Sequence, residues 1–340
     1  MTQDTILAVD GGNSKADVAL VGADGTLLGA VRGPTISHQA TSLAEGARRL
    51  ATLVAAASHA GGPGGGAARP AIAVHCVAGA DYPSDVRALE RSFAAVAAAG
   101  ETVVLNDTFA ALRAGATRPW GIALICGQGI NAAAVGRDGR RVRFAGVGQI
   151  AGDWGGAGSV GMEGLGAAVR ARDGRGPRTA LERSIPRAVG LARPDAVTYA
   201  YYRGRLDEGR VGELAPTVFA TAIAGDPVAR AIVDRLADEL ATMAIALARR
   251  GHLVRLDPEV VLAGSVFRTD DEAFHARLAA AITDAIPAAR IRRLTAAPVV
   301  GAALIGLDRL AGGTTAAGTE ARVRAAFDEW NATPVIVTSS

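Results

Sequence analysis

A short apolar strand that runs into two glycines constrains this chain more than any other stretch. Residues 6–9 are apolar, and a second apolar stretch begins at Ala16. The turn between them reads Asp10-Gly11-Gly12-Asn13-Ser14-Lys15. Its glycines permit positive φ and let the backbone approach a polyphosphate, and consecutive N–H groups in such a turn can bind an anion. The turn is not a Walker loop, because that pattern is absent and a strand follows. An ordinary glycine hairpin is the alternative on this stretch alone.

The polar side chains of this turn match the needs of a phosphate chain. Ser14 offers a hydroxyl donor and Lys15 a positive charge, while Asp10 is suited to hold Mg²⁺ directly or through water. Lys15 is the only lysine among the 36 Lys and Arg residues. Because arginine replaces lysine everywhere else, the one that remains in the turn indicates a specific role there.

The same unit recurs later in the chain. Residues 121–126 are apolar and end in the turn Gly127-Gln128-Gly129, and residues 130–135 form a second predicted strand. Both copies then continue into an Asp-Gly pair, at 24–25 and at 138–139, which is a strong hairpin signal. The repeat predicts two related halves that hold one phosphate chain. Since strands alternate with helices elsewhere, the fold class is α/β.

Bulk composition excludes several classes of protein. The chain has 340 residues, of which 49% are hydrophobic, enough for two domains with their own cores. A net charge of +3 without an Arg or Lys block gives no expectation of nucleic-acid binding. No apolar run approaches about 18 residues and no signal peptide is recognisable, so we expect a cytoplasmic protein away from membranes.

The two cysteines, Cys76 and Cys126, each lie in an apolar strand-like run, and we predict buried free thiols. No CxxC, HExxH or His/Cys cluster indicates a zinc or iron–sulfur site. The glycine-rich stretch Gly61–Gly66 is predicted to be a flexible surface loop.

Asp107 is the predicted catalytic residue. It follows the predicted strand at 102–105 and begins a helix, and ligands of open α/β sheets gather at that edge. A carboxylate there can accept the proton of a hydroxyl group as it attacks a γ-phosphate. The alternative is that Asn106 or Asp107 merely caps the helix.

Two further stretches indicate binding. The loop at 146–158 is rich in glycine and contains Asp153, which is suited to accept hydrogen bonds from sugar hydroxyls. Its alternative role is to cap the helix predicted from about Ser159. The strand beginning at Glu259 leads into Gly264 and Ser265, against which a flat adenine ring or a ribose can lie without steric conflict.

Together these motifs resemble the sugar-kinase/Hsp70/actin ATPase superfamily, and within it the N-acetylglucosamine kinase group of the BadF/BadG/BcrA/BcrD ATPase family. The resemblance covers roughly residues 6–310. It implies two actin-like (ribonuclease H-like) domains, each with a mixed five-stranded sheet flanked by helices, and an active-site cleft between them. We predict an N-terminal domain at 1–115 with the substrate loop and the catalytic Asp. The C-terminal domain is predicted at 116–340 with the second phosphate loop and the adenosine motif. The final helices are candidates for packing back on the first domain.

The resemblance also implies roles for individual residues. Asp107 would be the general base, and Ser14 and Gln128 would contact the phosphates of ATP. The predicted nucleotide-binding set is Gly11, Gly12, Asn13, Ser14, Lys15, Gly127, Gln128, Gly264 and Ser265, with Asp10 at the metal. The predicted substrate set is Ser37, His38, Asn131, Gly146 and Asp153. Ser37, Val147 and Trp154 stand where the family usually has asparagine, tryptophan and glutamate, so the departures fall on the sugar side.

The implied activity is phosphorylation of an amino sugar by ATP and Mg²⁺, with the 6-hydroxyl of N-acetylglucosamine as acceptor. Glucosamine and N-acetylmuramic acid are alternative acceptors, and a homodimer is expected. A second hypothesis is an ATPase of the same family that activates a partner enzyme, but those carry a bridging iron–sulfur cluster on cysteines that this chain lacks. A third is a sugar sensor without catalysis, against which intact Asp10 and Asp107 count. ROK-type sugar kinases share the fold, yet their cysteine-rich zinc motif is missing.

Overall fold

The computed structural model of the chain describes residues 4–61 and 69–338. Apart from Gly61, the loop predicted at 61–66 lies outside the described residues. In chain order the strands and helices are β1 (Thr5–Gly11), β2 (Lys15–Gly22), β3 (Leu27–Pro34), α1 (Leu43–Ala60), β4 (Ile72–Val77), α2 (Pro83–Ala97), β5 (Glu101–Asn106), α3 (Asp107–Gly115), β6 (Gly121–Cys126), β7 (Ile130–Val135), β8 (Arg141–Arg143), α4 (Gly156–Asp173), α5 (Leu181–Ala188), α6 (Pro194–Tyr202), α7 (Glu208–Gly212), α8 (Ala215–Ile223), α9 (Pro227–Arg250), β9 (Glu259–Ala263), α10 (Glu272–Ala285), β10 (Arg290–Arg293), α11 (Val299–Leu310) and α12 (Ala317–Ala332).

The chain divides into two compact units. The first comprises the described residues within 1–123, 133–141 and 292–340, and the second comprises 124–132 and 142–291. These units are defined by the packing of residues against one another. The domains predicted at 1–115 and 116–340 are parts expected to fold independently, so the predicted domain boundaries stay a prediction. Among the described residues, no helix combines the length and the apolar character needed to cross a membrane.

The first sheet has the strand order β3-β2-β1-β4-β5. β2 is antiparallel to both β1 and β3, while β1, β4 and β5 run parallel to one another. The register sets Asp10 beside Cys76 and Cys76 beside Leu105. Because parallel strands end at the same edge of a sheet, Asp10 and the residues that follow Leu105 emerge on one side of the unit.

Both faces of this sheet are covered, as the near-continuous apolar run of β1 predicts. Since successive strand residues point to opposite faces, Ile6 and Ala8 pack with residues of α3 and α11. Leu7 and Val9 pack with residues of α1 and α2 on the other face. The sheet is therefore the centre of a three-layer unit that holds its strand ends rigidly.

A second sheet has the order β10-β9-β6-β7-β8. Read from its other end, this is the order of the first sheet with β6 in the place of β1 and β9 in the place of β4. The shared order agrees with the two related halves that the repeated glycine turn predicts. The predicted fold class, with two five-stranded sheets flanked by helices, is confirmed. The prediction of two buried free thiols, Cys76 and Cys126, is confirmed as well.

The segment after α12, for which the sequence shows no site signal, covers the edge of the first sheet. The N–H of Arg32 donates to the carbonyl of Val335 (2.8 Å), and the N–H of Val337 donates to the carbonyl of Arg32 (2.8 Å). Ile336 and Arg32 form the parallel bridge between them. This pairing protects the outer edge of β3, which would otherwise be open to pairing with another chain.

His75 occupies the middle of the first sheet, where a polar ring is costly. It is fully buried beside Phe93, with 5.0 Å between the ring centroids. Neither ring nitrogen has a hydrogen-bond partner in the described part of the chain. Burial lowers the pKa of His75 to about 3, so the folded protein keeps this ring neutral over most of the acid range.

We expect His75 to lower the stability of the protein below neutral pH. The unfolded chain binds a proton near pH 6.5 while the folded chain does not until about pH 3. Between these values the unfolded state therefore holds more protons than the folded state. As the pH is lowered through this range, His75 reduces the free energy of unfolding by about 1.4 kcal/mol per pH unit. In His75→Leu this contribution is absent. Urea titrations should therefore show that the free energy of unfolding of the variant rises relative to that of the wild type as the pH is lowered from 7 to 4.5. A constant difference across this range would contradict the prediction.

Candidate active site

The turn between β1 and β2 is held by contacts on both sides. A Cβ at Gly11 would lie 2.9 Å from side-chain carbons of both Ile36 and Val77. The N–H of Gly12 donates to the carbonyl of Lys15 (3.0 Å) and the carbonyl of Gly12 accepts from Thr35 Oγ1 (2.7 Å). Neither glycine has a positive φ, so Gly11 is required for space rather than for its backbone angle. The expectation from the sequence was wrong on that detail.

The exposed part of this turn is Asn13, Ser14 and Lys15. Lys15 Nζ lies 3.2 Å from Asp17 Oδ2, and the lysine side chain is 47% exposed while the aspartate is fully buried. Arg32 also donates to Asp17 through Nε (2.7 Å) and Nη2 (2.9 Å). The buried carboxylate of Asp17 therefore binds the Lys15 ammonium group, which has further N–H donors for a ligand.

The electrostatics of Asp10 fit a hard divalent cation. Burial raises the pKa of the Asp10 carboxyl well above its usual range, and the negative charges of Asp17 and Asp107 raise it further, against the opposing effect of Lys15 and Arg32. A bound cation would reverse these effects by stabilising the ionised carboxylate. The described residues contain no cluster of three or more His, Cys, Asp or Glu side chains placed to hold a metal. Because Mg²⁺ commonly takes one or two carboxylates plus water and phosphate oxygens, Asp10 fits as a single protein ligand.

Asp107 begins α3 directly after β5, at the edge where Asp10 ends β1. The two strands are separated by β4 alone, which puts their backbones about 10 Å apart at the usual strand spacing. The helix is capped by Asn106, whose Oδ1 accepts from the N–H (3.2 Å) and Oγ1 (2.7 Å) of Thr108. Since Asn106 is the cap, capping does not account for Asp107.

The loop that follows β3 contains Ser37 and His38. Ser37 is buried, and its Oγ accepts from the N–H of Gln39 (3.3 Å), so its hydroxyl is engaged within the loop. His38 packs on Gly79, where a Cβ would lie 2.7 Å from Cε1 of the ring and φ is +85°. His38 Nδ1 is buried and has no hydrogen-bond partner among residues 4–61 and 69–338. An unpartnered ring nitrogen of this kind fits a ligand contact.

The second glycine turn packs on the start of α4. The carbonyls of Gly127 and Gln128 accept from the N–H groups of Ala157 (2.8 Å) and Gly158 (2.9 Å). The side chain of Gln128 donates from Nε2 to the carbonyl of Glu208 (3.3 Å), and a Cβ at Gly212 would lie 2.4 Å from its Oε1. The Gln128 amide is thus turned towards α7, and its contact with phosphate stays a prediction.

The predicted sugar residues of the second unit lie in β7, at Asn131, and in the loop that contains Gly146 and Asp153. Gly146 has φ +69°, and a Cβ there would lie 2.6–2.8 Å from the side-chain atoms of Asn131, so these two positions are in direct contact. Asp153 Oδ2 is buried and has no hydrogen-bond partner within the described residues. Burying an unpaired carboxylate oxygen is costly unless a ligand satisfies it.

The alternative for this loop, a turn that caps the following helix, does not involve the side chain of Asp153. The helix α4 begins at Gly156, earlier than the predicted Ser159, and its N-cap is Gly155. Gly155 has φ +153° and Gly156 has φ +79°, and a Cβ at Gly156 would lie 2.5 Å from the carbonyl oxygen of Gln128. Because the helix starts on glycines, the usual capping side chains that mark a helix start are missing from the sequence.

Ser265, which follows Gly264, lines a cavity of about 390 Å³ in the second unit. A Cβ at Gly264 would lie 2.2 Å from the carbonyl oxygen of Cys126, and φ there is +109°, so only glycine fits. The cavity is apolar on one side, where α8 lines it, and polar on the other. Its lining residues are Ala157, Ala215, Pro216, Phe219, Ala220, Ile223, Ser265, Val266, Arg268, Thr269 and Asp270. This size and mixed lining suit an adenine ring.

The face of α8 that lines this cavity was missed by the sequence analysis. Residues 215–223 read as one apolar helix among several, and the pattern does not distinguish a cavity wall from core. Only the structure marks this face, where Ile223, a large apolar side chain at the helix end, is 58% exposed.

The family follows from a match that spans most of the chain. Residues 7–306 match the model of the BadF/BadG/BcrA/BcrD ATPase family. The chain belongs to this family. Its membership confirms the resemblance identified from the glycine turns, and it accounts for two sheets of the same strand order.

Individual relatives agree with the family assignment. The chain is 29% identical over 238 residues to the N-acetylmuramic acid/N-acetylglucosamine kinase of Clostridium acetobutylicum, covering 69% of this chain and 76% of that protein. It is 27% identical over 216 residues to the N-acetyl-D-glucosamine kinase of Dictyostelium discoideum, covering 62% and 67% respectively. A solved structure of a candidate N-acetylglucosamine kinase from Chromobacterium violaceum has a TM-score of 0.68 at 21% identity, covering 90% of this chain and all of that one. At that identity the likeness shows the fold.

Trp154, where the BadF/BadG/BcrA/BcrD family usually has glutamate, carries a cation on its ring. The Arg235 guanidinium lies 3.8 Å from the ring centroid of Trp154. Arg235 Nε is 4.0 Å from Glu239 Oε1, and the arginine side chain is half exposed. Arg235 thus places a positively charged group beside Trp154, the residue that follows Asp153.

Proposed function

We propose that this chain is an ATP-dependent amino-sugar kinase that transfers the γ-phosphate to a sugar hydroxyl, the 6-hydroxyl of N-acetylglucosamine. The observation that carries the proposal is the pair of carboxylates, Asp10 and Asp107, at the same edge of the first sheet. The negative charge of Asp107 raises the pKa of Asp10, and the helix cap beside Asp107 is a different residue, Asn106. A metal ligand and a separate base at one sheet edge are what transfer to a hydroxyl requires.

The residues take the following roles in the proposal. Asp107 accepts the proton of the attacking hydroxyl, and Asp10 holds Mg²⁺, which would neutralise charge on the phosphates. Ser14, Lys15 and the backbone of the glycine turns contact the phosphates, and the cavity beside Ser265 receives the adenosine. Exclusion of water would favour transfer to the sugar over hydrolysis of ATP. A cytoplasmic homodimer, implied by the resemblance, is part of the same proposal.

The remaining sugar residues supply the specificity. His38 Nδ1 and Asp153 Oδ2 are buried without partners in the described part of the chain, so each can gain a hydrogen bond when a polyhydroxyl ligand binds. Asn131, in contact with Gly146, lies in the same unit as Asp153. The named activities of the two relatives, both amino-sugar kinases, support this class of acceptor.

A second candidate acceptor is N-acetylmuramic acid, which carries a carboxylate. The observation in its favour is Arg235, which stacks on Trp154 next to Asp153 and adds a positive charge there. The Clostridium acetobutylicum relative is named for both sugars.

The test is release of ADP by the purified chain with ATP and Mg²⁺, measured against N-acetylglucosamine, N-acetylmuramic acid, glucosamine and glucose. We expect release that depends on an amino sugar, with the phosphorylated sugar identified by mass spectrometry and its position by phosphorus NMR. Faster release with N-acetylmuramic acid would select the second candidate. No sugar-dependent release with any amino sugar would overturn the proposed function.

A further inference from the structure

Asp81 bridges two segments that the proposed function places at the sugar. It lies half-buried in the turn after β4. Its Oδ2 accepts a hydrogen bond from Gln39 Nε2 (2.9 Å), and its Oδ1 accepts one from Asn106 Nδ2 (3.0 Å). One carboxylate therefore joins the loop after β3 to the end of β5.

The bond to Asn106 determines how the helix of the proposed base begins. Asn106 is 3% exposed, and its Oδ1 accepts from the N–H and the hydroxyl of Thr108. An amide turned by 180° would present NH₂ to Thr108 and its oxygen to Asp81. Because a carboxylate only accepts hydrogen bonds, Asp81 permits one of these two orientations, the one in which Asn106 caps α3. The first turn of α3, which carries Asp107, rests on that orientation.

The bond to Gln39 fixes the other segment. The N–H of Gln39 donates to Ser37 Oγ (3.3 Å), and its side-chain carbons lie 3.1 Å from the position of a Cβ at Gly79. His38 packs against the same glycine. Asp81, two residues after Gly79, thus holds the loop of His38 by a charge-assisted hydrogen bond, which is stronger than a neutral one.

We propose that Asp81 is a positioning residue for phosphoryl transfer: it holds the sugar loop at 37–39 and the base Asp107 in a single geometry. The inference rests on the proposed function for its kinetic consequence, while the coupling of the two segments stands on the hydrogen bonds alone. Asp81 acts through Gln39 and Asn106, so its loss disturbs orientation and leaves the chemistry of the base intact. A displacement of about 1 Å in a reacting group can cost a hundredfold in rate.

The test is Asp81→Asn, which keeps the shape of the side chain. Asparagine has one oxygen and one NH₂ group, so if it accepts from Asn106 it turns its NH₂ towards Gln39. The charge-assisted bond to Gln39 is then lost and is replaced at most by a neutral bond to a turned Gln39 amide. We expect kcat/KM for the sugar to fall about 10- to 100-fold through both kcat and KM, with the KM for ATP within about twofold of the wild-type value.

Asp85→Asn is the matched control. Asp85 lies four residues on, and its Oδ2 accepts from the N–H of Tyr82 (2.9 Å) at the start of α2. This carboxylate contacts Tyr82 and Ser84 at the start of α2, so this variant should lose thermal stability at most. In a double-mutant cycle, Asp81→Asn should cost less in the Gln39→Leu background, because the bond to Gln39 is already absent there.

Hydrogen exchange separates this inference from the proposed function. In Asp81→Asn we expect faster amide exchange at both 37–41 and 107–110, and in Asp85→Asn at neither. This measurement needs no substrate, so it tests the coupling even if the wild type phosphorylates none of the sugars. Unchanged exchange at either segment, or sugar kinetics equal to those of the wild type in an active enzyme, would overturn the inference.

Discussion

Asp107→Asn should lower the turnover number at least about a hundredfold while leaving the binding of ATP and sugar nearly unchanged. Asparagine has the shape of aspartate but cannot accept a proton at neutral pH, so proton transfer from the attacking hydroxyl loses its acceptor. The cap of α3 is Asn106, which the substitution leaves in place. Steady-state kinetics with the best sugar of the panel, and calorimetric titration of ATP and sugar, measure the two quantities separately.

The stability of this variant distinguishes a base from a structural residue. An acidic group in the first turn of a helix stabilises it by roughly 0.3–1 kcal/mol through the helix dipole. We therefore expect only a small fall in the melting temperature. Glu272→Gln is a suitable control, because Glu272 is also an acidic residue in the first turn of a helix, α10, and it is exposed there. If Asp107→Asn kept wild-type turnover, Asp107 would not be the base.

Much of the candidate site could be predicted because its motifs are contiguous in sequence. A strand followed by two glycines gave the turn at 10–15, and its recurrence at 126–129 gave the second half. Asp107 could be predicted as a candidate catalytic residue, because it stands where a predicted strand ends and a predicted helix begins. Even in these motifs, the reason for Gly11 was hidden, because the space it leaves is occupied by Ile36 and Val77 from other segments.

Contacts between distant segments could not be predicted. The amide of Gln128 is engaged by the carbonyl of Glu208, 80 residues away, and no local pattern predicts that pairing. Asp81 lies in the turn after β4, and it accepts from Gln39 in the loop after β3 and from Asn106 at the end of β5. The same holds for α8, whose apolar face becomes a cavity wall only through the packing around Ser265.

The second large effect is expected on stability, at Arg113. This residue of α3 is 3% exposed, and its guanidinium donates to both oxygens of Asp308 (2.7 and 3.2 Å) and of Glu320 (2.7 and 3.1 Å). Asp308 also accepts from the N–H (2.8 Å) and the hydroxyl (2.7 Å) of Thr315. Burial alone would lower the pKa of Arg113, but these carboxylates raise it above its usual value. One buried charge network thus joins α3, α11 and α12.

Arg113→Met should lower the free energy of unfolding by about 3–5 kcal/mol, because it leaves the mostly buried Asp308 carboxylate without its cation and leaves Glu320 with Arg324 alone. Urea titration at neutral pH measures this. Arg309→Met is the matched control on α11: Arg309 pairs with Glu101, but both side chains are more than 40% exposed, and such a pair is worth about 0–1 kcal/mol. Equal losses in the two variants would contradict a network stabilised by burial.

The pH dependence of this loss follows from Glu320. Burial raises the pKa of Glu320, yet hydrogen bonds and charges from Arg113 and Arg324 hold it below its usual value of 4.5. A lowered folded-state pKa contributes stability above the unfolded value, and that stability is lost as the pH falls through the folded one. Without Arg113, only Arg324 opposes the effect of burial on the pKa of Glu320, so this pKa should rise. Protonation of Glu320 at low pH would then remove a buried charge that has lost one of its cations. The gap between the wild type and Arg113→Met should therefore be largest near pH 7 and should narrow below about pH 4.5. A gap independent of pH would mean that lost packing of the arginine side chain, rather than unpaired charge, destabilises the variant.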